Sequence, residues 1–335
     1  MRVFVSMPKG KETDTFLTQD ARKYLEERFE TVYSSYDRHL TAEEFAAQIK
    51  GFDAVITGWS HVRITAPMLD GSGIKVIAHT GGSVGDLIDP GVYEKTKVRV
   101  LSGNLLYAES VAEGVIAYML TGLRRIPYYV QDIKNGGWRG DGFFSEGLLD
   151  QTVGIIGMGA ISRILIPMLQ TFRAKIKIYS SYPIDETFLK ENHATQAKSL
   201  EEIFSSCNIV SLHSAKNKKT EGMIRKSHFD LMKEGALFVN TARGAIVNEE
   251  EMIAALKEKK IHAVLDVFCK EPLDKDSELR TMEHVYCVPH MGGPTMDRRG
   301  YVTMKLADNL EQFVRGDKME LEITAEAAKR MTVEK

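Results

Sequence analysis

Val153-Gly154-Ile155-Ile156-Gly157-Met158-Gly159-Ala160-Ile161-Ser162 is the stretch on which the reading of this sequence turns. A short apolar run ends in Gly157-x-Gly159 and gives way to Ile161, Leu165, Met168 and Leu169 at helical spacing. The pattern is strand, tight turn, helix. Two glycines let the backbone turn sharply and approach a pyrophosphate, and the helix start at Ala160 and Ile161 offers free N–H groups to its oxygens. Ser162 stands where G-x-G-x-x-G has its third glycine, a packing position that a small serine can fill. A lone G-x-G is common in turns, so its weight comes from its surroundings.

Those surroundings alternate strand and helix in both directions. Downstream, apolar runs recur at Val153–Ile156, Ile176–Tyr179, Ile209–Leu212, Ala236–Val239, Ala263–Leu265 and Val285–Val288, six strands in all. Upstream lie Val3–Val5, Ala54–Ile56, Val76–Ala78 and Val98–Leu101. Between them, Leu17, Ala21, Tyr24 and Leu25 fall at helical spacing, and Thr41 with Glu44 three residues on reads as a capping box. A long helix pattern (Ala112, Val115, Ile116, Met119, Leu120, Leu123) runs into the glycine-rich loop Asn135–Gly142, and a last one carries Leu306, Ala307, Leu310 and Phe313. Such alternation predicts an α/β protein with parallel sheets covered on both faces.

The bulk properties narrow the class. At roughly 100–200 residues per domain, 335 residues suggest two domains. Of these, 43% are hydrophobic and 27% charged, as in a globular protein. Forty-four basic against 46 acidic residues leave a net charge of −2, with no global field to hold nucleic acid or an anionic membrane. Lys216-Asn217-Lys218-Lys219 reads as a solvated loop. Three cysteines (Cys207, Cys269, Cys287) without a C-x-x-C pair point away from a disulfide framework or a thiolate metal site. No apolar run approaches the ~20 residues of a membrane span, and Val3-Phe4-Val5 follows Met1 at once, so a cytoplasmic location is expected.

Further chemistry gathers where strands end, the place where open α/β sheets bind ligands. The acid that grips a ribose 2′-OH is expected about 20 residues past the glycines. The sequence there is Ile178-Tyr179-Ser180-Ser181-Tyr182-Pro183, with Ser180 at the position and no arginine beside it. Asp185 or Glu186 folding back is the competing reading, so NAD and NADP both stay open. Val239-Asn240-Thr241-Ala242-Arg243-Gly244 delivers an arginine, whose planar fork suits a carboxylate, although a turn arginine would look the same. Leu265-Asp266-Val267-Phe268-Cys269-Lys270-Glu271-Pro272 and Val288-Pro289-His290-Met291-Gly292-Gly293 complete the set. A histidine can move a proton near neutral pH, and a neighbouring carboxylate would hold its ring. His290 alone would be unremarkable for a structural residue; Arg243, Glu271 and His290 at successive strand ends are expected to converge.

With these blocks in order, the chain resembles the D-isomer-specific 2-hydroxyacid dehydrogenases over nearly its whole length. The resemblance rests on Val153–Ser162, on Leu212-His213 opening the loop after the third strand of the series, and on Asn240–Gly244, Asp266–Pro272 and Pro289-His290-x-Gly292-Gly293. Gly82-Ser83-Val84-Gly85 before Ile88-Asp89, and Ser110-Val111-Ala112-Glu113, fit too. It implies two doubly wound parallel-sheet (Rossmann/flavodoxin-like) domains with the active site in their cleft: a substrate domain of residues 1–102 and 292–335, and a dinucleotide-binding domain of 103–291. It implies an NAD(P)-dependent oxidoreductase and a homodimer. Arg243 would bind the substrate carboxylate and keto oxygen, His290 would be the acid/base and Glu271 its polarising partner. Backbone N–H groups around Ser83, Val84 and Gly85 would complete carboxylate binding. Gly157, Gly159, Ala160, Ile161, Ser180, His213, Thr241, Ala242, Asp266 and Gly292 would face the cofactor, with Asp266 on the nicotinamide carboxamide, and no metal is implied.

Departures from the family pattern are Ser162, Ser180 and Ser214-Ala215-Lys216, where a more apolar, proline-containing stretch is common. They bear on cofactor choice rather than reaction. A non-catalytic NAD(H)-sensing protein of the same fold is the alternative, weakened by the intact Arg243, Glu271 and His290. Formate enzymes of the superfamily pair the histidine with glutamine, unlike Glu271 here. Trp59, His61 and Tyr107 are candidates for the substrate side-chain pocket, and glyoxylate or hydroxypyruvate is the substrate expected from base rates.

Overall fold

The computed structural model describes residues 1–139 and 144–332. Gly140, Asp141 and Gly142 of the glycine-rich loop thus lie outside the described residues. The chain forms two compact units, Met1–Ala108 with Pro294–Lys335, and Glu109–Gly293.

The discontinuous unit holds five parallel strands: β1 (Arg2–Val5), β2 (Glu30–Tyr33), β3 (Ala54–Thr57), β4 (Val76–His79) and β5 (Arg99–Ser102), in the order β2-β1-β3-β4-β5. This is the flavodoxin-like doubly wound order. Successive side chains point to opposite faces, so each buried strand feeds two cores. Val3, Val5, Ala54, Ile56, Val76 and Ala78 pack with Phe16 and Leu25 on one side. Phe4, Val55, Ile77 and Val100 pack with Phe45, Ile49, Ile88 and Val92 on the other. The helix Met296–Arg315 returns to close the first core with Val302, Leu306, Ala307 and Leu310. Leu306 and Leu310 are fully buried, a contribution of about 1.5–3 kcal/mol each. Thr303 Oγ1 donates to the Phe16 carbonyl at 2.8 Å. Beyond the helix, Ile323 N–H donates to Val100 O and Arg99 pairs with Glu322, so the chain's return lies along β5.

The continuous unit holds β6 (Thr152–Ile156), β7 (Lys175–Tyr179), β8 (Ala194–Gln196), β9 (Ile209–Leu212), β10 (Leu237–Asn240), β11 (His262–Leu265) and β12 (Val285–Cys287), all parallel. Their order is β12-β11-β10-β9-β6-β7-β8. The order reverses at β6, whose two neighbours are β7 and β9. One face is covered by the helix Asn104–Arg124 through Val115, Met119 and Leu123 and by the helix Ala160–Gln170 through Leu165, Ile166 and Leu169. The other is covered by Ile203, Phe204, Phe229, Met252 and Leu256.

Two strands escape the sequence reading. β2, Glu-Thr-Val-Tyr, is an edge strand with alternating exposed and half-buried residues and no apolar run. β8, Ala-Thr-Gln, has one buried residue. Unit 2 therefore has seven strands rather than six, and Leu212-His213 follows its fourth strand, not its third. Thr41 and Glu44 form the expected capping box. No helix among the described residues is long and apolar enough to cross a membrane.

Candidate active site

β6 delivers the glycine turn at the point where strand order reverses. Gly157 sits at φ +99°, and a Cβ there would stand 2.7 Å from Ser214 N, so only glycine lets the turn lie against the loop after β9. Gly159 differs: a Cβ built on it meets nothing within 4 Å, leaving room beside the backbone for a ligand rather than for the chain itself. Gly159 also caps the helix Ala160–Gln170 without a side-chain hydrogen bond, so the first N–H groups stay available to phosphate oxygens. Ser162 Oγ donates to Gly157 O at 2.7 Å and is fully buried, which shows how serine serves in the third glycine position.

At the end of β7, Ser180 Oγ accepts from Tyr182 N–H at 3.1 Å. Asp185 is engaged locally. Its carboxylate caps the helix Glu186–Glu191, accepting from Thr187 N–H at 2.7 Å and Phe188 N–H at 3.4 Å, and these bonds hold it below its ordinary range. The Arg163 guanidinium, from the helix after β6, lies 5.3 Å over the Phe188 ring, and its charge also lowers Asp185.

Two buried polar atoms at strand ends have no partner among the described residues: His213 Nδ1 after β9 and Thr241 Oγ1 after β10. Burial pushes His213 down to about 4, so it is neutral at pH 7, with Nε2 2.8 Å from Ser211 Oγ. Orphaned polar atoms are costly without a partner, and these lie where the notional cofactor residues were expected. With the open space at Gly159, they fit a dinucleotide.

Arg243 and Glu271 come from adjacent loops. Gly244 brings the two loops together: a Cβ there would fall 2.0 Å from Phe268 C, so the arginine loop lies directly on the backbone leading to Glu271. Arg243 is half-buried and donates from Nη1 to Ala242 O at 2.7 Å. Glu271 Oε1 accepts from Phe268 N–H at 3.0 Å, which leaves Oε2 for His290 Nδ1 at 2.6 Å. The two side chains are 36% and 45% exposed, open enough to exchange protons with solvent.

Asp266 holds the histidine turn. Its carboxylate is almost fully buried and accepts from Met291 N–H at 2.7 Å, Gly292 N–H at 2.9 Å and Tyr118 Oη–H at 3.3 Å. A buried carboxylate needs such donors. His290 itself sits at φ +47°, and its N–H donates to Asp266 O at 2.9 Å. The left-handed conformation is uncommon outside glycine and here is fixed from both sides by one aspartate. Tyr118 was missed by the sequence reading, since its spacing among Val115, Met119 and Leu123 marks a core face.

In unit 1 the Ser83–Gly85 loop is closed from within the chain. Ser83 Oγ donates to Thr332 O at 2.9 Å and accepts from Gly85 N–H at 3.2 Å, and Val84 N–H points at Met331 Sδ at 3.5 Å. Trp59 and Tyr107 meet edge to face, with centroids 6.4 Å apart. His61 does not join them: its ring packs on Phe45, in the core of the opposite face, and burial pushes it down to about 4.

Residues 116–292 match the family model for the NAD-binding domain of D-isomer-specific 2-hydroxyacid dehydrogenases. The chain belongs to this family. A D-3-phosphoglycerate dehydrogenase of Methanocaldococcus jannaschii is 30% identical over 303 residues, covering 90% of this chain and 56% of that protein. The human glyoxylate reductase/hydroxypyruvate reductase is 29% identical over 292 residues, covering 86% and 88%. A solved structure from Pyrococcus horikoshii OT3 superposes with a TM-score of 0.78 at 27% identity, covering 98% and 96%. The chain spans little more than half the length of several curated relatives in this 2-hydroxyacid dehydrogenase family.

Proposed function

We propose that this chain is an NAD(P)-dependent oxidoreductase that interconverts a small 2-keto acid and its D-2-hydroxy acid. The observation that carries the reading is the 2.6 Å Glu271–His290 contact on a turn pinned by Asp266. With Nδ1 turned to Glu271 Oε2, the His290 ring presents Nε2 to a substrate oxygen. In reduction, protonated His290 gives its proton to the carbonyl oxygen; in oxidation, neutral His290 takes it from the hydroxyl. Arg243 binds the carboxylate and polarises the keto oxygen, and the Val84 and Gly85 amides complete carboxylate binding once they leave Met331 Sδ and Ser83 Oγ. A bound nicotinamide supplies or accepts the hydride.

The Gly157, Gly159, Ala160 and Ile161 backbone would hold the pyrophosphate, with Ser180 toward the adenosine ribose. His213, Thr241 and Ala242 would line the strand ends. Asp266 and Gly292 would face the carboxamide, which would share Asp266 Oδ2: that oxygen accepts only from Gly292 N–H and has a lone pair to spare, whereas Oδ1 already accepts from Met291 N–H and Tyr118 Oη–H. The lack of an acid at Ser180 supports use of NADPH beside NADH. A glyoxylate- or hydroxypyruvate-type substrate is consistent with the human relative's named activity. The exposed stripe Ile126, Val130 and Ile133, with Trp138, supports a homodimer, and the free cysteines support a cytoplasmic location.

The test is a panel of 2-keto acids with NADH and NADPH. Oxidation of either nucleotide is the expected result. A protein that binds nucleotide but turns over none of the panel would instead be a sensing protein of the same fold.

A further inference from the structure

Unit 1 carries a positive charge that its own acids do not neutralise. Arg299, in the second turn of the helix Met296–Arg315, lies with its guanidinium 5.0 Å over the Trp59 ring and 5.5 Å over Phe16. It donates only to neutral oxygens, Thr15 Oγ1 at 3.2 Å from Nη1 and Pro294 O at 3.3 Å from Nε. No described carboxylate forms an ion pair with it; Glu12, whose charge reaches Tyr107, is not bound to it. Stacking holds the planar group in one orientation, so its remaining N–H donors face a fixed direction.

Beside it stands a second unused donor. The Tyr107 hydroxyl is buried; the Trp59 indole N–H acts on its oxygen, and its O–H donates to none of the described residues. Burial raises Tyr107 above its ordinary value, so it stays neutral and keeps its proton. The Tyr107 ring also touches the carboxylate loop: a Cβ at Gly82 would stand 3.3 Å from it. Gly82, Tyr107, Trp59 and Arg299 thus form one continuous line in unit 1, from the Ser83–Gly85 amides to the guanidinium.

We propose that Arg299, with the Tyr107 hydroxyl, is a specificity site for a second oxyanion, a carboxylate or phosphate at the far end of a 2-keto acid. The proposal rests on the keto-acid reading given above and replaces its glyoxylate- or hydroxypyruvate-type substrate with an acid that carries a second anionic group. The reacting carboxylate end lies toward the Ser83–Gly85 loop of unit 1. Arg299 takes the distal charge, where its fork can meet two oxygens.

The experiment measures kcat and KM for pyruvate, for oxaloacetate and 2-oxoglutarate (distal carboxylate), and for 3-phosphohydroxypyruvate (distal phosphate). The wild type should favour a dianionic acid by at least about tenfold in kcat/KM, and the better of the two arms names the anion. Arg299→Gln should raise KM for the dianionic acids about 10- to 100-fold and leave kcat/KM for pyruvate within about twofold, since only the distal contact is lost. Arg299→Lys should recover part of the loss, more for phosphate than for carboxylate, because lysine acts as a point charge. Equal use of all four acids by the wild type, or an equal loss on pyruvate in Arg299→Gln, would overturn the proposal. If Arg299→Gln does not fold, the wild-type ranking and Arg299→Lys decide. If no keto acid is reduced, the activity reading fails by itself. Trp59 emission in a Trp138→Phe background, titrated with D-malate against D-lactate, then decides this site. Quenching by D-malate that Arg299→Lys weakens supports it, and identical curves for the two acids overturn it.

Discussion

Two histidines stand at strand ends in the two units, and they have opposite surroundings. His79 is the last residue of β4, 5% exposed, with Nδ1 2.9 Å from the Thr57 hydroxyl. Burial pushes it down to about 3, so it is neutral at any physiological pH. His290 follows β12 with its side chain 45% exposed and an acid 2.6 Å away. One ring is a packed, neutral hydrogen-bonding group; the other has solvent, a counter-charge and a turn fixed by Asp266. Position at the carboxyl end of a parallel strand is therefore not enough to make a histidine a proton carrier. The partner and the access decide.

The largest test of that contrast is His290→Ala. Loss of the proton donor should lower kcat by a factor on the order of 10² to 10⁴ while nucleotide binding, followed by NADH fluorescence, is kept. Retained turnover would put the proton elsewhere. Next comes Arg243→Lys, which keeps charge but loses the fork; kcat/KM should fall by on the order of 10², an oriented bond at the reacting oxygen being worth ~3 kcal/mol. Near-normal turnover would return Arg243 to the status of a turn residue.

Glu271→Gln sharpens the comparison by removing the charge beside His290 and keeping a hydrogen-bonding shape. Loss of the charge leaves the ring held by a weaker, uncharged contact, so kcat/KM for keto-acid reduction should fall by about tenfold while nucleotide binding is kept. An unchanged kcat/KM would make the pair structural. Ser180→Asp probes a different ligand surface of unit 2: it should shift nucleotide preference several-fold toward NADH by setting a carboxylate against a 2′-phosphate. Complete rejection of NADPH by the wild type would end that reading.

The smallest effect belongs to His79. Its folded-state value lies below its unfolded one, near 6.5, so between about pH 6.5 and pH 3 the unfolded chain binds the extra proton. Stability is fully present above that window and declines as pH falls through it. His213, at about 4, adds in the same direction. The thermal midpoint should therefore drop from pH 7.5 to pH 5, and His79→Asn should flatten the slope. An equally steep slope in the variant would show that His79 is not the group responsible.

The parallel strands were legible because each central one, such as Val153–Ile156, is buried on both faces and reads as an unbroken apolar run. β2 and β8 lie at sheet edges, where one side faces water and the signal thins to Glu-Thr-Val-Tyr and Ala-Thr-Gln. At the site, the motif residues were visible because they sit in short loops directly after strands. Tyr118 and Arg299 were not, since each reaches its place from a helix far along the chain. Nothing in local spacing announces that Tyr118 meets Asp266, or that Arg299 comes to rest on Trp59. His61 shows the converse: two residues from Trp59 in sequence, it is turned into the other core.

The late return of the helix Met296–Arg315 has a consequence for synthesis. Unit 2 is continuous and can seal both of its cores as soon as Gly293 has left the ribosome. Unit 1 is begun first and finished last, because the face made by Val3, Val5, Ile56 and Ala78 waits for Val302, Leu306 and Leu310. During that interval a translating ribosome carries a folded nucleotide-type domain tethered to a half-covered apolar sheet, the kind of surface that chaperones recognise. Nascent chains arrested just before Met296 should therefore recruit them, and the released chain should not.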